Sequence, residues 1–246
     1  MTEEQVRRYL EFYQDLGVKS LFRRTASSTE TPVVAQPVVE SPPPPPPVVL
    51  PALEPDQDTL LKILEDIGDC KRCRLHEGRN KLVFGTGNPQ SKLVFVGEGP
   101  GADEDEQGEP FVGRAGQLLT QMIEGTARKE GIPLLRPDVY ICNVVKCRPP
   151  GNRTPQPDEM EICGQFLYRQ IQALRPKAIC ALGSTAAKAI LGTKDGVTRL
   201  RGQWHEWQNI PVMVTYHPSY LLRPYNQNAK KEAWEDLKKV LHFVYD

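Results

Sequence analysis

Two rhythms of apolar residues alternate along the chain from Asp58 onward. Four short runs are apolar at nearly every position and rich in β-branched residues: Lys92 to Gly97, Val139 to Val145, Lys177 to Gly183 and Ile210 to Tyr216. Runs of that length without a polar face suit strands covered on both sides. Between them, apolar positions recur at helical spacing from Arg114 to Lys129, Glu159 to Leu174, Ser184 to Leu191 and Asn228 to Tyr245. A further helical stretch, DTLLKILEDIGDC, opens this region and delivers Cys70. Strands alternating with helices predict an α/β fold, a three-layer α/β/α sandwich around a mostly parallel four-stranded sheet. In such sheets ligands bind beyond the carboxyl ends of the strands, so the loops there are where chemistry is expected.

The pattern is different before Asp58. Residues 3 to 24 read as an amphipathic helix, with Thr2 and Gln5 placed as a capping box, Val6, Leu10, Tyr13 and Leu21 near helical spacing, and Arg23 and Arg24 suited to a C-terminus. From Thr25 to Gln57 the composition shifts to Ser, Thr, Val and Pro, with consecutive prolines from Pro42 to Pro47. Such a stretch favours polyproline II and cannot build a core, so it predicts a disordered, semi-rigid linker. Three segments follow: a helix at 1–24, a linker at 25–57 and a folded domain at 58–246. Lys19-Ser20-Leu21-Phe22 on that tether suggests a docking peptide for a protein partner. Short hydrophobic peptides of this sort engage sliding clamps, though the usual leading glutamine is absent here.

Composition narrows the setting. No apolar run approaches the roughly 20 residues of a membrane helix, and the first ten residues lack a signal-peptide core, so a cytoplasmic chain with no membrane association is expected. Its thiols should then be reduced rather than paired in disulfides. Residues 1–57 hold 5 basic and 8 acidic side chains of the chain's 31 and 31, leaving the rest with 26 against 23. That slight positive excess permits a polyanionic partner without demanding one.

Cys70, Cys73, Cys147 and Cys163 form a C-x-x-C pair, a long gap, and a second, wider pair. Four soft thiolates suit either zinc or an iron–sulfur cluster. A zinc ribbon uses two tight knuckles and only the first pair is tight here, which tilts the reading toward a cluster. Cys142 and Cys180 lie inside apolar runs and read as small core residues.

The strand ends carry the other candidates. Gly97-Glu98-Gly99-Pro100-Gly101 lets backbone pass close to a ligand and offers one carboxylate, but it lacks the G-x-G-x-x-G register of a dinucleotide loop. Phe111, in Pro110-Phe111-Val112-Gly113, is either a core residue or a stacking platform. Asn143, at the end of the second run, either caps a turn or reads a base edge with its paired donor and acceptor. His217-Pro218-Ser219 follows the fourth run, giving His217 a position at the mouth of the crevice that His76, His205 and His242 lack.

Taken together, Gly97 to Gly101, Pro110 to Gly116, Asn143 to Pro150, His217 to Ser219 and the four-cysteine frame resemble the family 4 uracil-DNA glycosylases, the iron–sulfur branch of that superfamily. The resemblance runs from about Cys70 to the C-terminus and leaves residues 1–57 uncovered. It implies an enzyme that hydrolyses the N-glycosidic bond of uracil in DNA, releases free uracil and leaves an abasic site, after flipping the nucleotide into a pocket. It implies that Phe111 stacks on uracil, Asn143 reads its edge, and Gly97 and Gly99 allow the close approach. His217 would stabilise the departing anion, and Glu98 would position or deprotonate water. Glu104 is similar to the position that excludes thymine's methyl, unless it is a solvated loop charge.

The same resemblance places Arg148, Arg153, Ser219 and Arg223 on the DNA backbone, with Leu221 or its neighbours Tyr220 and Leu222 as a wedge, unless these are ordinary core residues. It implies a [4Fe-4S] cluster on the four cysteines, in a monomer. A related branch traps its substrate through a histidine after the second strand, but Pro149 to Pro155 contains none, so a hydrolytic outcome is expected. The competing reading from another class is a non-catalytic, metal-dependent DNA-binding module of repair or replication.

Overall fold

A computed structural model describes residues 58–246 of the chain. The helix expected at 3–24 and the linker at 25–57 lie outside the described residues. Asp58, the first described residue, is held by Arg169, whose Nε and Nη2 donate to its carboxylate at 2.6 and 3.0 Å. Thr59 then caps α1 (Leu60–Ile67), its Oγ1 accepting from the Lys62 N–H at 3.2 Å.

Six strands form one sheet: β1 (Thr86–Gly87), β2 (Leu93–Gly97), β3 (Tyr140–Asn143), β4 (Ala178–Leu182), β5 (Trp204–Trp207) and β6 (Ile210–Thr215). Their order is β1-β3-β2-β4-β6-β5, and the four central strands are parallel. These four are the runs anticipated from the sequence. The sheet has six strands rather than four because an antiparallel edge strand was missed on each side. β1 is only two residues long, and β5 alternates exposed and half-buried side chains, so neither shows a continuous apolar run. β5 ends in a tight turn. Gln208 and Asn209 both have positive φ, 48° and 64°, and join it to β6 by a tight hairpin of the type that needs left-handed backbone at both central positions.

Alternate residues of the central strands feed two separate cores. Val94, Val96, Ile179, Ala181, Val212 and Val214 face α4 (Pro157–Leu174) and α5 (Gly183–Leu191). Leu93, Phe95, Ile141 and Met213 face α3 (Arg114–Lys129) and α8 (Gln227–Tyr245). This is the expected three-layer sandwich, and its period-two alternation within wholly apolar strands is why both faces are covered. Cys142 and Cys180 are buried one on each face, as read from their apolar contexts. Three short helices complete the chain: α2 (Ala102–Gln107), α6 (Val197–Leu200) and α7 (Pro218–Leu221). Among the described residues no helix is long and apolar enough to cross a membrane.

Candidate active site

All four parallel strands end at the same side of the sheet, and a cavity of about 450 Å³ opens there. Gly97 and Asn143 are paired at the ends of β2 and β3, and Gly183 and His217 follow β4 and β6. Each element contributes one wall because parallel strands in register terminate together.

The floor of the cavity is tightly fitted. A methyl on Gly97 would stand 2.4 Å from Asn143 Oδ1 and 2.5 Å from Phe111 Cζ, so only glycine fits between them. Gly99 is similarly confined, 2.7 Å from Val145 Cγ2. Phe111 has φ 56° and is 6 % exposed, a left-handed conformation that costs a non-glycine residue about 1–3 kcal/mol unless its surroundings enforce it. They do. Glu104 Oε1 accepts from the Val112 and Gly113 N–H groups at 2.9 Å each, and Arg136 Nη2 donates to the Pro110 carbonyl at 2.8 Å. The ring then lies 5.5 Å from the His217 ring, tilted by 35°.

Asn143 is 2 % exposed and its Oδ1 is buried without a partner. A buried polar atom left unpaired is costly, so an Asn aimed into a cavity in this state marks the place of a missing donor. His217 has a defined tautomer. Its Nδ1 lies 3.2 Å from the Ser219 main-chain N–H, which can only donate, and 2.8 Å from Ser219 Oγ. Nδ1 is therefore the acceptor, and Nε2 carries the proton. Burial pushes the imidazole pKa down to about 4, partly opposed by the Glu104 carboxylate, so the ring is neutral near pH 7.

Glu98 sits at the start of the turn after β2 and accepts a hydrogen bond from Thr185 Oγ1 on α5. Glu104 lines the cavity, but Oε1 holds the Phe111 loop and Oε2 accepts from the Gly101 N–H at 3.1 Å. Its carboxylate thus builds the loop as well as facing the pocket. Arg153 reaches the rim while bound in both directions to Glu159, at 2.8 and 2.7 Å. Arg148 donates to Asn152 Oδ1 at 2.8 Å, and Arg223 is exposed over the Tyr220 ring, 5.8 Å from its centroid.

Leu221 departs from its expected role. It is 1 % exposed and lies in a small core with Tyr216, Ala229 and Ala233, because the single turn of α7 directs it inward. The outward positions of that turn belong to Ser219 and Tyr220, with Arg223 just beyond.

Sequence reasoning passed over three neighbours. Thr185 holds Glu98 and carried no signal, since α5 contributes it from eighty-seven residues away in sequence. Asn152, with φ 55°, lines the cavity, and its place in Pro149-Pro150-Gly151-Asn152 was a readable turn signal. Arg79 donates to Cys147 Sγ at 3.3 Å.

That last contact belongs to a second cluster, behind the β3–α4 loop. Cys147 is in that loop, Cys163 is in the second turn of α4, and Cys70 and Cys73 follow α1. Ionisation of Cys73, Cys147 or Cys163 is made harder by others of the set, Cys70 acting on both Cys73 and Cys147, so the four share one corner. Burial raises the Cys73 and Cys147 pKa values and pushes Cys163 up to about 12. Donors nevertheless point at the sulfurs: Arg79 at Cys147, and the Lys146 N–H at Cys163, 3.2 Å away. Among the described residues, no three His, Cys, Asp or Glu side chains are drawn tightly enough around one point to hold a single metal ion.

Known proteins share this arrangement of sequence. Residues 84–238 match the family described as the uracil DNA glycosylase superfamily. The chain is 46 % identical over 191 residues to a type-4 uracil-DNA glycosylase of Thermotoga maritima, covering 76 % of this chain and 96 % of that protein. It is 44 % identical to one from Sulfurisphaera tokodaii, covering 74 % and 84 %, and 43 % identical to one from Archaeoglobus fulgidus, covering 74 % and 92 %.

Proposed function

The chain belongs to the uracil DNA glycosylase superfamily and is an enzyme that excises uracil from DNA, and on that premise we propose that the cavity at the strand ends receives the flipped base. The observation that carries this reading is the buried, unpartnered Oδ1 of Asn143, beside an aromatic ring held in a strained conformation. Uracil N3–H supplies the missing donor, and the Asn143 amide donates in return to O4. Cytosine presents an acceptor at N3 and a donor at C4, which leaves both amide groups mismatched. Phe111 stacks on the base.

In the hydrolytic step the C1′–N1 bond breaks with its electron pair on uracil. The water oxygen bonds to C1′, and its proton passes to the Glu98 carboxylate, which Thr185 holds in place. His217 donates from Nε2 to the uracil oxygen on which charge develops. Because burial holds the ring neutral, it acts as a fixed hydrogen-bond donor and the base leaves as an anion. Glu104 narrows the pocket at the base C5. Ser219 and Arg153, which line the cavity, contact phosphate together with Arg148 and Arg223, fixing register without reading sequence. Tyr220, rather than Leu221, takes the vacated space in the stack.

The cysteine corner suits a [4Fe-4S] cluster better than zinc. A zinc ribbon uses two tight cysteine pairs, whereas here only Cys70 and Cys73 are close in sequence and Cys147 and Cys163 are sixteen residues apart. Four soft donors with N–H groups aimed at two of them fit a larger thiolate-bound centre. Bound there, it supplies cross-linking of α1, the β3–α4 loop and α4, with no role in the bond-breaking step. An iron assay with anaerobic absorbance tests this, and stoichiometric zinc without iron overturns it. A monomer in the cytoplasm, with any protein partner docking through residues 1–24, completes the reading.

The decisive experiment is release of free uracil from a uracil-containing oligonucleotide by the parent, His217→Ala and Asn143→Ala. Both variants are expected to lose at least about a hundredfold in kcat/KM. Parental rates in both would refute this placement of the site, and a denaturation-resistant protein–DNA adduct would refute hydrolysis.

A further inference from the structure

Lys146 is completely buried, lies between Asn143 and Cys147, and has no part in the reaction above. Its Nζ donates to the main-chain oxygen of Asn143 at 2.8 Å and to Gln170 Oε1 at 2.6 Å. Gln170 is itself fully buried on α4, and its Nε2 donates to the Phe84 carbonyl at 3.0 Å and the Tyr140 hydroxyl at 3.2 Å. The Lys146 backbone is fixed at both ends: its N–H donates to Cys163 Sγ at 3.2 Å, and its carbonyl accepts from the Val83 N–H at 2.8 Å.

A buried lysine held only by neutral acceptors is an expensive way to fill a core, and a methionine would fill it without the desolvation cost. Its two Nζ partners are the Asn143 carbonyl and Gln170 Oε1, and among the described residues no carboxylate pairs with it. The donors therefore matter. The peptide after Asn143 is held on its N–H side by β2, where the Val144 N–H donates to the Gly97 carbonyl at 3.0 Å, while its carbonyl side, the Asn143 oxygen, is held by Nζ. Nζ thus supplies the second fixing point, and Gln170 anchors Nζ to α4.

We propose that Lys146 is a positioning residue for base recognition: it clamps the main chain of Asn143 to α4 and so aims the Asn143 amide into the cavity. The inference rests on the reading of Asn143 as the group that recognises uracil. Asn143 and the cysteine corner are thereby joined through one residue, whose Nζ donates to the Asn143 main-chain oxygen and whose main-chain N–H donates to Cys163 Sγ.

The test is a double-mutant cycle with free uracil as the probe, measuring its inhibition of excision and its direct binding by calorimetry. Lys146→Met is expected to weaken uracil binding about tenfold in the parent and to relax discrimination against cytosine. In the Asn143→Ala background the same substitution is expected to add no further loss, because there is no amide left to aim. Lys146→Arg, which keeps side-chain N–H donors, is expected to recover part of the affinity. Iron content and circular dichroism should match the parent. Equal losses in both backgrounds, or unchanged uracil affinity in Lys146→Met, would overturn the clamp while leaving Asn143 as the recognition group. Unchanged affinity in Asn143→Ala alone would take down the recognition reading and the clamp with it. If Lys146→Met does not fold, Lys146→Gln enters the same cycle under the same criterion.

Discussion

The cavity at the strand ends and the cysteine corner are separated by a few residues of the β3–α4 loop, yet the fold completes them to different degrees. In the cavity nearly every polar group is held by the protein itself: Glu98 by Thr185, Glu104 by three main-chain N–H groups, and His217 by Ser219. One buried atom, Asn143 Oδ1, is left for a ligand. In the corner, burial raises the pKa values of Cys73, Cys147 and Cys163, and the thiols act on one another unfavourably. A recognition site gains from being rigid before its substrate arrives, since ordering it during binding would cost affinity. A thiolate corner gains its order only with the positive centre that draws the sulfurs together.

That contrast can be broken most forcefully at the cavity floor. Gly97→Val would drive a side chain into the space occupied by Asn143 Oδ1 and the Phe111 ring, so excision should fall at least about a thousandfold while the chain stays folded by circular dichroism. Measurable uracil release at even a tenth of the parent rate would mean the floor is not preorganised.

Cys163→Ser tests the other side. Its main expected effect is on stability, a fall in thermal midpoint of about 10 °C, corresponding to about 3–4 kcal/mol in a domain of this size, with metal content lost. Activity measured well below the new midpoint should fall less than in Gly97→Val. A variant that keeps its midpoint and loses all activity would assign the corner to chemistry instead of bracing.

The pH response separates the regions more finely. His217 has a folded pKa of about 4, below the usual imidazole value near 6.5, so between these values the unfolded chain binds a proton that the folded chain does not. The contribution of His217 to stability is therefore intact above about pH 6.5 and declines as pH falls toward about 4. Nuclear magnetic resonance should show the His217 ring titrating near 4, and His217→Asn should flatten the stability profile in that window. A midpoint near 6.5 would show that the ring is not desolvated.

Smaller effects belong to the rim. Arg148→Ala should weaken binding to all uracil-containing oligonucleotides about two- to fivefold and lower the salt dependence by about one phosphate contact. Loss of discrimination between uracil and cytosine in that variant would move Arg148 from the rim into the recognition site. Smallest of all, removing residues 1–57 should leave uracil release from naked oligonucleotides within about twofold of the parent. A larger loss would show that the segment takes part in the described domain.

The sequence carried the central architecture because all four parallel strands are buried on both faces and are apolar along their length. It missed β1 and β5, where an edge position relaxes the demand for apolar residues. Glu98, Phe111, Asn143 and His217 were legible for a related reason. They sit where strands end or a Pro-Gly turn interrupts the pattern, and there an unexpected polar or aromatic residue stands out. Leu221 stayed open between wedge and core because the pattern of a four-residue helix cannot say which side faces inward.

What the chain alone determined, then, was periodicity and punctuation: which segments are covered on both faces, where they stop, and which chemically capable side chains lie at the stops. Only the tertiary structure decided the partnerships across the sheet, such as Thr185 with Glu98, Arg79 with Cys147, and Lys146 with Gln170. The paired residues stand 87, 68 and 24 positions apart in the chain. Periodicity is a local property that each strand or helix expresses alone. Partnership depends on how strands order themselves in the sheet, and no single segment contains that information.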